Sequence, residues 1–168
     1  MTRPTCPNCK SHPLVEANGP FSGLLIIGEF PGWQEQRWGR PFVGSSGNMM
    51  EEEFGRVDGV KVYERSRVTN LWLHEPDEEK CSIAYMRKEL VKEIRKARLI
   101  LLMGSEFGGG FFYDEGVMDR SGLWTTLPYR KLAMVSPNPA MLPKDSVGEF
   151  REALRKFVAK AKEMKLNE

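Results

Sequence analysis

The chain has 168 residues, of which 40% are hydrophobic and 29% charged, and this composition is typical of one soluble domain with a hydrophobic core. The formal net charge of +2 permits a local nucleic-acid-binding patch but does not by itself indicate one. Because no apolar run reaches membrane-spanning length and no secretory signal pattern is visible, we expect a single cytoplasmic domain over residues 1–168, monomeric and without membrane association.

The irregular, Pro-rich segment 1–20 carries Cys6 and Cys9 in a C-x-x-C motif. A tight turn aims two sulfurs at this spacing in the same direction, so that they can bind one metal ion or one edge of a cluster. A redox role is disfavoured because no strand precedes the motif and no helix clearly begins at it. Cysteines of a cytoplasmic protein favour metal ligation over disulfides, and the alternative is a pair of exposed thiols without function.

The remaining pattern alternates apolar strands with amphipathic helices. In chain order we expect a strand at 24–28, a polar loop with tryptophans, a helix at 46–54 with Met49, Met50 and Phe54 inward, a strand at 67–73, a helix at 81–97, strands at 99–104 and 131–136, and a helix at 147–164. The first and third strands lack polar alternation, which is typical of strands that are covered on both faces. The pattern therefore predicts a four-stranded parallel sheet with helices on both sides.

Polar and aromatic side chains stand where the predicted strands end. Ligands bind beyond the carboxyl ends of the strands in open α/β sheets, so Glu29, Phe42, Asn70 and the turn 136–139 are expected to share one pocket. An amide can read a base edge, a ring can stack, and a carboxylate can orient water or stabilise positive charge. Each residue also has an ordinary structural explanation. Asn70 could hydrogen-bond to backbone at the end of its strand, Phe42 could belong to the hydrophobic core, and Glu29 could cap a helix. These residues alone predict a pocket without assigning its function.

The segment 28–47 resembles the G-E-x-P-G…G-x-P-F-V-G-x-[AS]-G signature of family 4 of the uracil-DNA glycosylase superfamily. The matching positions are residues 28–32, Glu35, residues 39–44 and Ser46-Gly47, with further similarity at Thr69-Asn70, residues 101–105 and Arg120-Ser121-Gly122. The resemblance covers nearly the whole chain. It implies an α/β class fold, a three-layer α/β/α sandwich around a central four-stranded parallel sheet.

This resemblance implies a hydrolase that flips uracil, or a related modified pyrimidine, out of single- or double-stranded DNA and cleaves its N-glycosidic bond. The catalytic residues that it suggests are Glu29, Asn70, Ser136 and Asn138. The base-binding residues are Gly28, Phe30, Phe42 and Asn70. Contacts with DNA are expected from Arg120, Pro137, Pro139 and Met141. Two alternatives remain: a non-catalytic module that binds a base or a nucleic-acid end, and an enzyme that acts on hypermodified pyrimidines.

A metal centre is also implied by the resemblance. Members of family 4 hold an iron–sulfur cluster, and the matching ligand set here is Cys6, Cys9, His74 and Cys81 for a [4Fe-4S] cluster. His74 stands where a cysteine is usual, and an imidazole can ligate iron in place of a thiolate. Zinc bound by the same three cysteines and one histidine is the alternative.

One departure from the family pattern concerns the end of the fourth strand. The family usually has His-Pro at this point, whereas this chain has Ser136-Pro137-Asn138-Pro139. The family histidine donates a hydrogen bond to the uracil oxygen, and loss of one such donor typically lowers the rate by ~10²–10³-fold. Either Asn138 or backbone N–H groups replace the histidine, or the substrate differs, or catalysis is weak.

Overall fold

A computed structural model describes residues 3–10, 12–76, 81, 83–104, 122–138 and 147–168, with the helical backbone alone at 83–85 and 87. Three of the residues expected to contact DNA, namely Arg120, Pro139 and Met141, lie outside the described residues. The matched positions Ser105 and Ser121 lie outside them as well. None of the described helices is both long and apolar enough to cross a membrane.

The described chain contains each strand and helix that the sequence pattern predicts, together with two helices and one strand that the pattern did not predict. The elements are β1 (Leu24–Gly28), α1 (Trp33–Trp38), α2 (Ser45–Arg56), α3 (Val60–Arg65), β2 (Arg67–Asn70), α4 (Ile83–Lys96), β3 (Leu99–Met103), β4 (Trp124–Leu127), β5 (Lys131–Ser136) and α5 (Val147–Glu163). Those that the pattern did not predict are α1, α3 and β4. The prediction of a polar loop after β1 is wrong, because helix α1 forms there. Gly39 adopts a left-handed conformation (φ 72°) after its last turn and donates its N–H to the Glu35 carbonyl at 2.7 Å, which ends the helix.

The described residues form a sheet of five strands in the order β2-β1-β3-β5-β4. The four expected strands are parallel, and β4 pairs antiparallel with β5 at one edge. The described part of the chain therefore adds one strand to the four expected. The edge strand Trp124–Leu127 escaped prediction because three of its four side chains are at least partly exposed and it has no continuous apolar run.

Helices cover both faces of the sheet and confirm the three-layer arrangement. Successive strand residues point to opposite faces, so Leu24 and Ile26 pack with residues of α2, α3 and α5, whereas Leu25 and Ile27 pack with residues of α4. Both sets are buried to 2% exposure or less. Since the sheet is fixed on both faces, the carboxyl ends of its parallel strands form a rigid base for a site.

Beyond the end of β2, the chain remains attached to the segment after β1. The N–H groups of Leu71 and Trp72 donate to the carbonyl oxygens of Gly28 and Glu29, each at 2.8 Å. These two hydrogen bonds hold the segment between β2 and His74 against the residues at the end of β1. The predicted strand 67–73 is thus shorter, but its continuation links the sheet to the N-terminal cysteines.

Candidate functional site

A cavity of about 350 Å³ lies at the carboxyl ends of β1, β2 and β3. Its walls include Glu29, Phe42, Asn70 and Asn138, which the sequence predicted to meet. Gly28 and Phe30, two of the expected base-binding residues, also line it. The volume lies within the range of pockets that bind small organic ligands, so a nucleobase fits this cavity.

Gly28 allows the base-binding side chains to pack directly against the end of β1. Gly28 is the register partner of Asn70 in the parallel pair of β1 and β2. A Cβ atom at position 28 would lie 2.5 Å from the Asn70 Oδ1 and 3.0 Å from the Phe42 Cζ. The Phe42 backbone itself is left-handed (φ 53°), and its carbonyl lies directly against Gly47 of α2. The amide and the ring therefore occupy space that any other residue at position 28 would fill.

Gly104, which follows β3, provides space for the Glu29 carboxylate. Its backbone is left-handed (φ 126°), and a Cβ atom at this position would overlap the Glu29 carboxyl group. The Gly104 N–H donates to the Ser136 carbonyl at 3.2 Å, which holds β3 and β5 together at this edge. The sequence does not reveal this packing, because it joins residues that are 75 positions apart.

A second carboxylate, that of Glu35, lines the same cavity. Glu35 is buried in α1 and accepts a hydrogen bond from the Ser46 hydroxyl, so it ties α1 to the first turn of α2. Among the described lining residues, Glu29 and Glu35 are the charged ones, and both are acidic. The cavity therefore favours a ligand that carries or develops positive charge.

One expectation for α2 is wrong. Met49, predicted to face inward, is 37% exposed and forms part of the cavity wall, whereas Met50 and Phe54 are buried as expected. The helix begins at Ser45, and residues 49 and 50 lie 100° apart around its axis, so only one of the two methionines faces the sheet.

Ser136 and Asn138, at the end of β5, were equally plausible hydrogen-bond donors from the sequence, but they differ in burial and in hydrogen bonding. Ser136 is fully buried, and its hydroxyl donates to the Leu102 carbonyl at 3.1 Å. That bond uses the one hydroxyl hydrogen of Ser136. Pro137 is also buried, whereas Asn138 is half-buried and lines the cavity.

The four predicted metal ligands meet at a second place, on the side of the N-terminal segment. The Cys6 Sγ lies 4.0 Å from the Cys81 Sγ, and the His74 Nε2 lies 3.4 Å from the Cys81 Sγ and 3.8 Å from the Cys9 Sγ. All four ligand atoms lie within 4.8 Å of one another, with Cys6 and His74 fully buried. The Lys10 N–H donates to the Cys6 carbonyl at 2.8 Å and closes the tight turn between the first two cysteines.

Hydrogen bonding orients His74 for ligation. Its Nδ1 lies 2.6 Å from the carbonyl oxygen of Glu75. A carbonyl oxygen can only accept, so the Nδ1 carries the hydrogen and the Nε2 presents its lone pair to the three sulfurs. His12 stacks on His74 with ring centroids 4.9 Å apart, and its Nδ1 lies 3.3 Å from the Cys9 Sγ. His12, which follows the two cysteines in the spacing C-x-x-C-x-x-H, was not predicted as a ligand and lies beside the four-residue group without belonging to it.

The donor set fits a thiolate-rich metal centre. Three thiols and one imidazole whose ligand atoms lie within 4.8 Å of one another can hold one zinc ion, and the same residues match the ligand set expected for an iron–sulfur cluster.

Comparisons with known proteins support a relationship to DNA glycosylases. A family model described as the uracil DNA glycosylase superfamily matches residues 17–162. Over 61 residues the chain is 38% identical to a type-4 uracil-DNA glycosylase from Pyrobaculum aerophilum. This second match covers 33% of the chain and spans 31%, about a third, of the length of that relative. The family match includes the entire described cavity, whereas Cys6 and Cys9 precede it.

Proposed function

This chain belongs to the uracil DNA glycosylase superfamily, and we propose from that premise that it excises uracil, or a related modified pyrimidine, from DNA by hydrolysing the N-glycosidic bond. The observation that carries the proposal is the convergence of Glu29, Phe42, Asn70 and Asn138 on one cavity of nucleobase size. We further propose that residues 1–168 act as one monomeric domain of the cytoplasm, with DNA as the partner.

The proposed reaction begins when the target nucleotide leaves the base stack and its base enters the cavity. The Phe42 ring stacks on the flipped base. The Asn70 side chain offers both a donor and an acceptor to the edge of the base, which allows it to distinguish uracil from cytosine. Because Gly28 leaves no side chain between them and the sheet, these two groups hold the base in one orientation.

Glu29 promotes the cleavage step. The bond between the sugar C1′ and the base nitrogen breaks with its electron pair going to the base, so the sugar develops positive charge and the base negative charge. The Glu29 carboxylate stabilises the sugar cation and accepts a proton from the water that adds to C1′. The second carboxylate, Glu35, adds to the negative potential around the sugar and, through Ser46, keeps α1 against α2.

Asn138 takes the role of the family histidine. Negative charge on the departing base collects on its carbonyl oxygen, and the Asn138 amide supplies an N–H donor from the cavity wall. Ser136, which occupies the position of the histidine itself, has its hydroxyl hydrogen committed to the Leu102 carbonyl. The donor is therefore displaced by two residues along the chain.

A matched pair of variants tests this assignment. Asn138→Ala is expected to lower single-turnover excision of uracil by roughly 10²-fold, the lower end of the contribution of one donor. Ser136→Ala, which removes a hydroxyl that bonds to backbone, is expected to alter excision by less than about threefold while lowering the free energy of unfolding by about 1 kcal/mol. The opposite ranking of the two variants in excision would overturn the role of Asn138.

We assign the metal centre a structural role. Cys6, Cys9, His74 and Cys81 would hold the metal, and binding would fix the N-terminal segment against the chain that leaves β2. The expectation of a [4Fe-4S] cluster stays a prediction, with zinc bound by the same four residues as the alternative. When bound, the metal would stabilise the fold by cross-linking these segments of the chain. It would take no part in base excision.

A non-catalytic base-binding module is the second candidate, and the serine at position 136 is the observation that favours it. Such a module would use the same cavity without charge-stabilising donors. It would bind uracil-containing DNA with an affinity that depends on Phe42 and Asn70, and it would release no base. The excision assay separates the two candidates directly.

A further inference from the structure

Two tryptophans of α1 are largely exposed. Trp33 and Trp38, the first and last residues of this helix, have 71% and 73% of their surface accessible. Trp33 lines the cavity together with Phe30 and Met49, both of which are also exposed. Trp38 lies at the far end of α1, about 7.5 Å further along the helix axis.

Two other exposed rings of the protein, those of Phe21 and Tyr129, are covered by cations. The Phe21 ring lies 4.0 Å from the guanidinium carbon of Arg67, and the Tyr129 ring lies 4.6 Å from that of Arg95. Within the described part of the chain, neither indole of α1 has a ring or cation partner of this kind. Their faces are therefore available to a ligand.

Two arginines lie close to Trp38 along the chain. Arg37 and Arg40 are exposed, and neither forms an ion pair with the described residues. The one acidic residue of α1, Glu35, is buried and bonded to Ser46, so it does not neutralise them. Flat aromatic faces beside free cations are the features that bind unpaired bases and their phosphates.

We propose that Trp33 and Trp38 each stack on a base of single-stranded DNA beside the flipped nucleotide, with Arg37 and Arg40 contacting the phosphates. The inference rests on the proposed function and adds the strandedness of the substrate. In a duplex the bases already stack on one another and hide their faces, so exposed indoles select a single strand. Trp33 lines the cavity, so a base stacked on it would lie next to the target base.

The test measures binding of labelled oligothymidylate and of a labelled duplex hairpin by fluorescence anisotropy. Trp33→Ala and Trp38→Ala are each expected to weaken oligothymidylate binding by roughly 5- to 100-fold, the scale of one lost stacking contact. The duplex affinity should change by less than about twofold, because its bases are not offered for stacking. Phe21→Ala removes another exposed ring, which precedes β1 and stacks with Arg67, and should leave both affinities unchanged. Thermal unfolding of every variant checks that the fold is kept.

Three results would overturn the inference. They are an absence of oligothymidylate binding by the wild-type protein, unchanged affinity in the Trp33→Ala, Trp38→Ala double variant, and a wild-type dimer that this double variant abolishes. The last result would assign the surface to a protein partner. Oligothymidylate contains no uracil, so these outcomes are independent of excision. A protein that binds it through the two tryptophans but releases no base would contradict the proposed function alone.

Discussion

Replacing Glu29 with glutamine is expected to lower the rate of uracil excision by roughly 10²- to 10⁴-fold, the usual contribution of a general base. Glutamine has nearly the same shape and keeps the packing against Gly104, but it cannot accept a proton from water or stabilise a cation. The affinity for uracil-containing DNA should therefore stay within about threefold of wild type. Single-turnover kinetics and fluorescence anisotropy give the two values separately.

A second substitution tests the same carboxylate without changing it. Gly104→Ala places a methyl group where the Glu29 carboxyl group lies, so it should displace that group and reduce excision in the same direction. Because the left-handed backbone of Gly104 is strained by any side chain, this variant should also have a lower free energy of unfolding. Glu152→Gln, which alters an exposed carboxylate of α5, serves as the control and should have the wild-type rate. Near-wild-type excision by Glu29→Gln would remove this residue from the mechanism.

Loss of one metal ligand is expected to have the largest effect on stability. Cys81→Ser should abolish stoichiometric metal and lower the free energy of unfolding by at least about 3 kcal/mol, because metal binding and folding are coupled. Cys81 contacts Cys6 and His74 and so joins three separated parts of the chain. Elemental analysis of protein purified without oxygen, combined with urea unfolding, measures both quantities.

The identity of the metal follows from the same preparation. The family resemblance predicts four irons with acid-labile sulfide, whereas the zinc alternative predicts one zinc per chain and no absorbance in the visible range. His12→Gln is the matched control: His12 stacks on His74 without belonging to the four-residue ligand group, so this variant should retain the metal. Equal metal content and stability in Cys81→Ser and wild type would contradict the assignment of this centre.

The sequence predicts well what depends on uninterrupted hydrophobicity. Strands such as Leu99–Met103 are buried at every position, so their assignment and their parallel arrangement required no knowledge of other residues. The edge strand Trp124–Leu127 is mostly exposed and pairs on one side only, so its pattern resembles that of a loop. Helix α1 has only six residues and no uniform apolar face, because Glu35 is buried while the two tryptophans are exposed.

The same distinction, between local sequence patterns and contacts that form only in the folded chain, decides which site residues could be predicted. Glu29, Phe42 and Asn70 could be placed together because the ends of parallel strands share one edge of the sheet. The sequence does not show where a hydroxyl group points, so Ser136 and Asn138 were equally plausible hydrogen-bond donors to the base. In the structure the Ser136 hydroxyl donates to the Leu102 carbonyl. Contacts between distant segments, such as Gly104 against Glu29, depend on the assembled sheet and leave no local pattern.

The most direct test of the central claim is release of free base from a single-stranded oligonucleotide that contains one deoxyuridine. Mass spectrometry of the products should show uracil, with an intact strand that carries an abasic site and breaks in alkali. An otherwise identical oligonucleotide with thymidine should remain unchanged, as should the uracil substrate incubated with the Glu29→Gln variant for the same time. Binding of both oligonucleotides without release of any base, at a protein concentration above that of the DNA, would contradict the assignment of this cavity to base excision.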